Sequence, residues 1–226
     1  MRHNFDIPPV RRGTNSLKWQ RYGDALPLWV ADMDFLSPEP VLAALQERVA
    51  HGVFGYGAPP DALTETICAR MAEHYRWTVT PEQIVYLPGL VSGLNVVCRA
   101  IGEPGDEVLV QTPVYPPFLS APTNQDRRLL AAELTAEIRD GRLYYTIDDD
   151  AFAAAIGPRT RLFILCHPHN PVGRAFDATE RTRLAAICER YDLAICSDEI
   201  HCDLLLDGRQ HVPFATLSPE IARRCI

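Results

Sequence analysis

The sequence is nearly without lysine. Of its 22 lysine and arginine residues, 21 are arginine and one is lysine, Lys18. Any chemistry that needs a primary amine must therefore use Lys18 or a residue outside these 226. Long apolar runs are also missing: the longest, such as Leu162 to Cys166, fall far short of the roughly 20 residues that span a bilayer. The opening Met1-Arg2-His3-Asn4-Phe5-Asp6 has no signal-peptide core. A cytoplasmic protein with no membrane partner is expected. No C-x-x-C pair occurs among the seven cysteines, whose odd number and scattered apolar contexts suit small hydrophobes rather than disulfides. Basic runs are absent too, and a net charge of -7 argues against a nucleic-acid partner. No standard metal-ligand spacing appears, so no metal is expected.

What is present is a soluble core's worth of hydrophobic residues, 47%. Residues 1–36 are irregular and read as an arm and small-domain segment, and 37–226 as a large domain. Ser37-Pro38 suggests a helix start, with Val41, Ala44, Leu45 and Val49 at helical spacing until His51-Gly52. A second helix after Pro59-Pro60 carries Leu63, Ile67 and Met71 on one face. From residue 82 short apolar runs alternate with helical ones. Strands are expected at Gln83 to Leu87, Glu107 to Gln111, Arg161 to Cys166 and Leu193 to Ser197, with helices at Leu90 to Ile101 and Asp177 to Tyr191. That alternation predicts an α/β fold with a largely parallel sheet covered on both faces.

Ligands in such sheets bind beyond the carboxyl ends of the strands. Three stretches fall on that rim: Pro88 to Gly93, Thr112 to Pro117, and His167 to Gly173; Asp198 joins them. Gly89 to Gly93 reads as an anion site at a helix N-terminus or simply as a tight turn, and it matches neither a Walker A loop nor a Rossmann fingerprint. Tyr115, fixed between prolines, can stack on a flat ring or pack against the fold. Asn170 is aimed by the following Pro171, although Asn-Pro also starts ordinary turns. Asp198, a carboxylate closing a buried strand, needs a cation or hydrogen-bond donors, or else caps the next segment. Together, phosphate cradle, aromatic face, amide donor and buried carboxylate are the fittings for pyridoxal 5'-phosphate, an electron sink that works best when its ring nitrogen stays protonated.

Several strings then resemble one family: Arg12-Gly13-Thr14-Asn15-Ser16, Trp29 to Phe35, Phe54-Gly55-Tyr56-Gly57, Gln111 to Phe118, His169 to Arg174 and Ser197-Asp198-Glu199-Ile200-His201. They are similar to the MalY/PatB-type carbon-sulfur β-lyases of the aspartate-aminotransferase fold (fold type I). The resemblance implies a mostly parallel seven-stranded sheet and a homodimer with shared active sites. It implies that Leu90 and Val91 contact the phosphate, Tyr115 stacks on the ring, and Asn170 and His201 reach the ring hydroxyl oxygen. Asp198 pairs with the ring nitrogen, Tyr56 crosses to the neighbouring subunit's phosphate, and Ala31 and Asp32 line the substrate entrance. The implied reaction is β-elimination from cystathionine or another cysteine S-conjugate, giving a thiol, pyruvate and ammonia. Its Schiff-base lysine is expected about seven to ten residues beyond Ile226, in a part of the family's sequence that this chain lacks, together with the C-terminal half of the small domain. The expectation is that the 226 residues belong to a longer polypeptide. An aminotransferase of the same fold, or a non-catalytic cofactor-binding regulator or fragment, stands as the alternative.

Overall fold

A computed structural model describes residues 4–206 and 208–226. Two compact units divide the chain, one up to Ala58 and one from Pro59 to Ile226. The domain boundary expected after residue 36 falls inside the first of them. No described helix is long and apolar enough to cross a membrane.

The first unit holds helices α1 (Leu17–Gln20) and α2 (Glu39–His51) and is tied together by charge rather than by a core. Lys18 is buried, and its Nζ donates to Asp34 Oδ2 and to the Asp32 carbonyl, both at 2.7 Å. Asp34 Oδ1 also accepts from Trp19 Nε1 (2.7 Å) and Arg11 (2.8 Å). With three donors around it, the Asp34 carboxyl is drawn down to about 2, the Lys18 hydrogen bond being the largest cause. Helix α2 begins one residue later than expected. Pro38, not Ser37, occupies the cap position, and no side chain caps the helix. Gly52 ends it at φ +75°, a left-handed conformation that glycine adopts without a Cβ clash. No residue of α2 is buried, so Val41, Leu45 and Val49 form an exposed apolar face.

The second unit opens with α3 (Asp61–Tyr75), also without a buried residue. The strand expected at Gln83 to Leu87 does not form. Pro81–Gln83 make a 3₁₀ turn boxed by Thr80 and Gln83, and Val85 is 77% exposed. A short apolar run alone cannot make a strand, which needs a neighbour to take its backbone hydrogen bonds. Then follow α4 (Leu90–Ala100), β1 (Glu107–Thr112), α5 (Pro116–Asn124), β2 (Arg128–Glu133), the hairpin β3 (Thr135–Arg139) and β4 (Arg142–Thr146), α6 (Asp149–Ala154), β5 (Thr160–Cys166), α7 (Ala178–Arg190), β6 (Ala194–Asp198) and α8 (Pro219–Arg224).

The sheet is parallel throughout, in the order β2-β1-β5-β6. Four of the implied seven strands are thus present among the described residues, and Cys225 and Ile226 run parallel beside β6, with Ile226 N donating to Ile195 O at 2.8 Å. Strand side chains alternate between two apolar layers. Val108, Val110, Leu162, Ile164 and Cys196 pack with α4 and α5 through Leu94, Cys98 and Phe118. Leu109, Phe163, Leu165 and Ile195 pack with α6, α7 and α8 through Phe152, Leu184, Cys188 and Ile221. Both faces are therefore covered, as buried parallel strands require. Helix α4 leads through a short turn into the start of β1 and lies across the sheet, which puts its C-terminus at the foot of β1 and its N-terminus at the carboxyl rim.

Candidate functional site

Backbone and side-chain hydrogen bonds join the carboxyl ends of β1, β5 and β6 into one rim. The Tyr115 amide, at the cap of α5, donates to the Asn170 carbonyl (3.1 Å), and His169 Nε2 donates to the Pro113 carbonyl (2.8 Å). The His167 amide donates to the Asp198 carbonyl (3.0 Å), one step beyond the register in which Cys166 faces Asp198. Asn170 stands in a tight turn closed by His169 N to Arg174 O (2.6 Å) and Gly173 N to His169 O (2.9 Å), with Gly173 at φ +68°. Arg174 fixes the far side of that turn through two bonds to Glu180 (2.8 and 2.9 Å), in a pair buried on both sides. Glu180 in turn completes a capping box with Asp177 at the start of α7. Sequence therefore places Asn170 by a glycine turn and a helix cap, both local devices.

Asp198 differs from the other described aspartates of interest. Oδ1 accepts only the Ile200 amide (3.1 Å), and no cation lies within ion-pair distance among the described residues. Burial pushes its carboxyl up; the Ile200 hydrogen bond and the positive potential of His201 oppose this, and Glu199 adds to it. The sequence left two ordinary fates open for Asp198, capping or pairing with an arginine. The Ile200 bond meets the first in part, and the second is not met. A half-buried carboxylate without a counter-charge is costly, and a cationic ligand would relieve that cost.

At the N-terminus of α4, Gly89 occupies the cap and supplies no side chain, so the first-turn amides, including those of Leu90 and Val91, face outward uncapped. Leu90 and Val91 are half-exposed. Tyr115 is 42% exposed and its ring has no aromatic partner among the described residues. His201 begins the 3₁₀ turn Cys202–Leu204, three residues past Asp198. The rim thus carries Tyr115 and Asn170, bonded through their backbones, with Asp198 at the end of β6 and His201 three residues beyond it, while Leu90 and Val91 open α4. An uncapped helix N-terminus, an open aromatic face and an unpaired half-buried carboxylate fit a flat ligand that is anionic at one end and protonated at the other.

Three expected residues, Ala31, Asp32 and Tyr56, lie in the other unit. Tyr56 is fully exposed. Ala31 is exposed, and Asp32 is ion-paired with Arg11 at 2.8 Å. Lys18 is no free amine, because both of its hydrogen bonds are to buried or half-buried oxygens. The sequence reading did not find the cluster of Glu199, His211 and Tyr75 behind the rim, whose members are separated by a long loop or a whole domain's length of chain.

Comparison with known proteins points the same way as the geometry. The family model for aminotransferase class I and II matches residues 24–225. Cystathionine beta-lyase PatB of Bacillus subtilis (strain 168) is 42% identical over 226 residues, covering 97% of this chain and 57% of that protein. The crystal structure of OvoB superposes with a TM-score of 0.90 at 42% identity, over 98% of this chain and 58% of that one. The PLP-bound C-S lyase from Staphylococcus hominis does so at 0.88 and 32% identity, over 97% and 56%. The chain therefore spans somewhat over half the length of the relatives it matches.

Proposed function

Given that the chain belongs to the aminotransferase class I and II family, we propose that it carries the cofactor-binding part of a pyridoxal 5'-phosphate-dependent carbon-sulfur β-lyase. The substrate would be cystathionine or another cysteine S-conjugate, and the products a thiol, pyruvate and ammonia. Kinship to PatB and to the C-S lyase supports this over amino transfer. The observation that carries the cofactor reading is Asp198, half-buried on the rim with no cation of its own among the described residues.

When bound, pyridoxal phosphate supplies an electron sink for the pair released at the substrate's α-carbon. The chain's own residues do the holding. The amides of Leu90 and Val91, at the positive end of α4, would bind the phosphate. Tyr115 would cover one ring face, and the Asn170 amide and His201 would reach the ring hydroxyl oxygen. Asp198 would hold a proton at the ring nitrogen, its carboxylate exchanging an unfavourable burial for an ion pair. In a homodimer Tyr56 would reach the neighbouring subunit's phosphate, and Ala31 and Asp32 would border the substrate entrance. The amine that takes the α-proton would come from a lysine other than Lys18, whose ammonium is committed to Asp34. A cytoplasmic setting suits an enzyme of amino-acid metabolism.

The test is to supply cystathionine to the full polypeptide with its cofactor and to follow thiol and pyruvate. Release of both, abolished in Asp198→Ala, is the expected result. Keto-acid-dependent amino transfer without thiol release would replace the lyase reading with the aminotransferase one.

A further inference from the structure

Asp198 is the last residue of β6, and beyond it the sheet no longer fixes the backbone. Its carboxylate has one hydrogen bond, to the Ile200 amide at 3.1 Å. Something else must hold the peptide on which it stands. Side chains of successive extended residues point to opposite sides, so Ser197 and Glu199 share the side that Asp198 does not use. There Ser197 Oγ donates to Glu199 Oε1 at 2.7 Å. Glu199 Oε1 also accepts the Phe214 amide (2.8 Å), and Glu199 Oε2 accepts from His211 Nε2 (2.5 Å). Three donors from two segments thus converge on one carboxylate.

The anchor points are themselves buried. Phe214 is fully buried in the core layer under β5 and β6. The His211 side chain is 1% exposed and meets the edge of the Tyr75 ring at 5.7 Å and 89°. Tyr75, the last residue of α3, donates its hydroxyl to Asp203 Oδ1, and Arg70 donates to Asp203 Oδ2 at 2.6 Å. This second tie holds the turn that begins at His201. The backbone that carries Asp198 and His201 is therefore fastened on both sides, at Glu199 and at Asp203.

We propose that Glu199, clamped by His211, is a positioning residue: it sets the direction of the Asp198 carboxylate and touches neither cofactor nor substrate. The proposal rests on the reading of Asp198 as partner of the ring nitrogen. A carboxylate held by one amide can swing when its peptide is loosened, and a displacement of about 1 Å at a reacting centre is enough to cost roughly a hundredfold in rate. Charge matters as well as shape. With its own carboxylate turned toward three donors, Glu199 would leave the ring nitrogen to Asp198.

The experiment uses the full polypeptide loaded with cofactor. Glu199→Ala is expected to lower kcat for thiol release roughly ten- to a hundredfold, to leave KM within about threefold, and to move the pH midpoint of the bound cofactor's visible band. Glu199→Gln, which keeps an acceptor for Ser197 and Phe214, should recover most of the rate. Should Glu199→Ala not fold, His211→Phe keeps a ring against Tyr75, deletes the donor, and carries the same expectation. A folded Glu199→Ala with wild-type kcat and spectrum overturns the proposal, as does a variant that melts earlier yet keeps its rate per folded molecule. Asp198→Asn is the control. If it alters the spectrum while Glu199→Ala does not, the positioning role falls alone; if it leaves the spectrum unchanged, the ring-nitrogen reading falls and the proposal with it.

Discussion

The His167 amide donates to the Asp198 carbonyl at 3.0 Å, which ties the start of the loop that carries Asn170 to the strand end that carries Asp198. Its partner atom is the backbone oxygen, which leaves the Asp198 carboxylate free to face a ligand.

Asp198→Asn should separate stability from function. Burial raises the carboxyl of Asp198, which means that the ionised form is held at a cost in the folded state. Removing that charge without changing shape should raise the melting temperature of the cofactor-free protein by about 2 °C or more, while cofactor-dependent thiol release is lost. Calorimetry of both proteins without cofactor checks the first half. An unchanged or lower melting temperature would mean that the charge is already well compensated.

Tyr115→Ala should weaken cofactor binding roughly three- to tenfold, the scale of one lost stacking contact, without abolishing it. Fluorescence titration of cofactor into the full polypeptide reads this directly, and wild-type affinity would count against stacking.

Acid should destabilise the second unit well above the pH at which carboxylates titrate. Burial is the main cause, with the positive potentials of His211 and Arg181 behind it, that pushes His167 from 6.5 down to about 3. Burial lowers His169 as well. Between about 6.5 and 3 the unfolded state therefore binds the proton that folded His167 refuses, and stability falls with pH at about 1.4 kcal/mol per pH unit for each such group. Urea midpoints measured from pH 7 to pH 4.5 should show this slope in the wild type and a shallower one in His167→Gln, whose amide oxygen can still accept from the Phe176 amide.

Lys18→Met should lower the denaturant resistance of the first unit, since it removes the largest cause of the depressed Asp34 carboxyl. Acid acts on the same contact. A carboxyl lowered from 3.8 to about 2 contributes stability that is present above 3.8 and lost as pH falls toward 2. Emission of Trp19, which donates to Asp34, should report that loss. Borohydride reduction of the cofactor-loaded full polypeptide should still yield a pyridoxyl adduct in Lys18→Met. Disappearance of the adduct would make Lys18 the amine after all.

Much of this architecture could be read from residues alone because its signals are local. β1, β5 and β6 are unbroken apolar runs, and α7 announces itself through Asp177 and Glu180, so each was placed within a residue or two. Edge strand β2 escaped notice because charged residues bracket Leu129 to Ala132 and its outer side is partly exposed. The β3–β4 hairpin did carry a signal, Asp140-Gly141, both at positive φ between two alternating runs. Gln83 to Leu87 misled in the opposite direction, its apolar run Ile84 to Leu87 having no strand beside it. Site residues on the rim followed from topology, whereas the clamp of Glu199 by His211 and Tyr75 did not. Its partners are 12 residues away in one direction and more than 120 in the other, and only the folded chain brings them together.

The burial of Lys18 has a practical meaning for reagents. Acylating probes react with unprotonated, accessible amines, and the ammonium of Lys18 is 9% exposed and bonded to two oxygens. Across these 226 residues folded, the side chains offer such a probe almost nothing to modify. A lysine that labels readily in the native polypeptide, and is shielded when cofactor is added, would thereby stand out against a blank background.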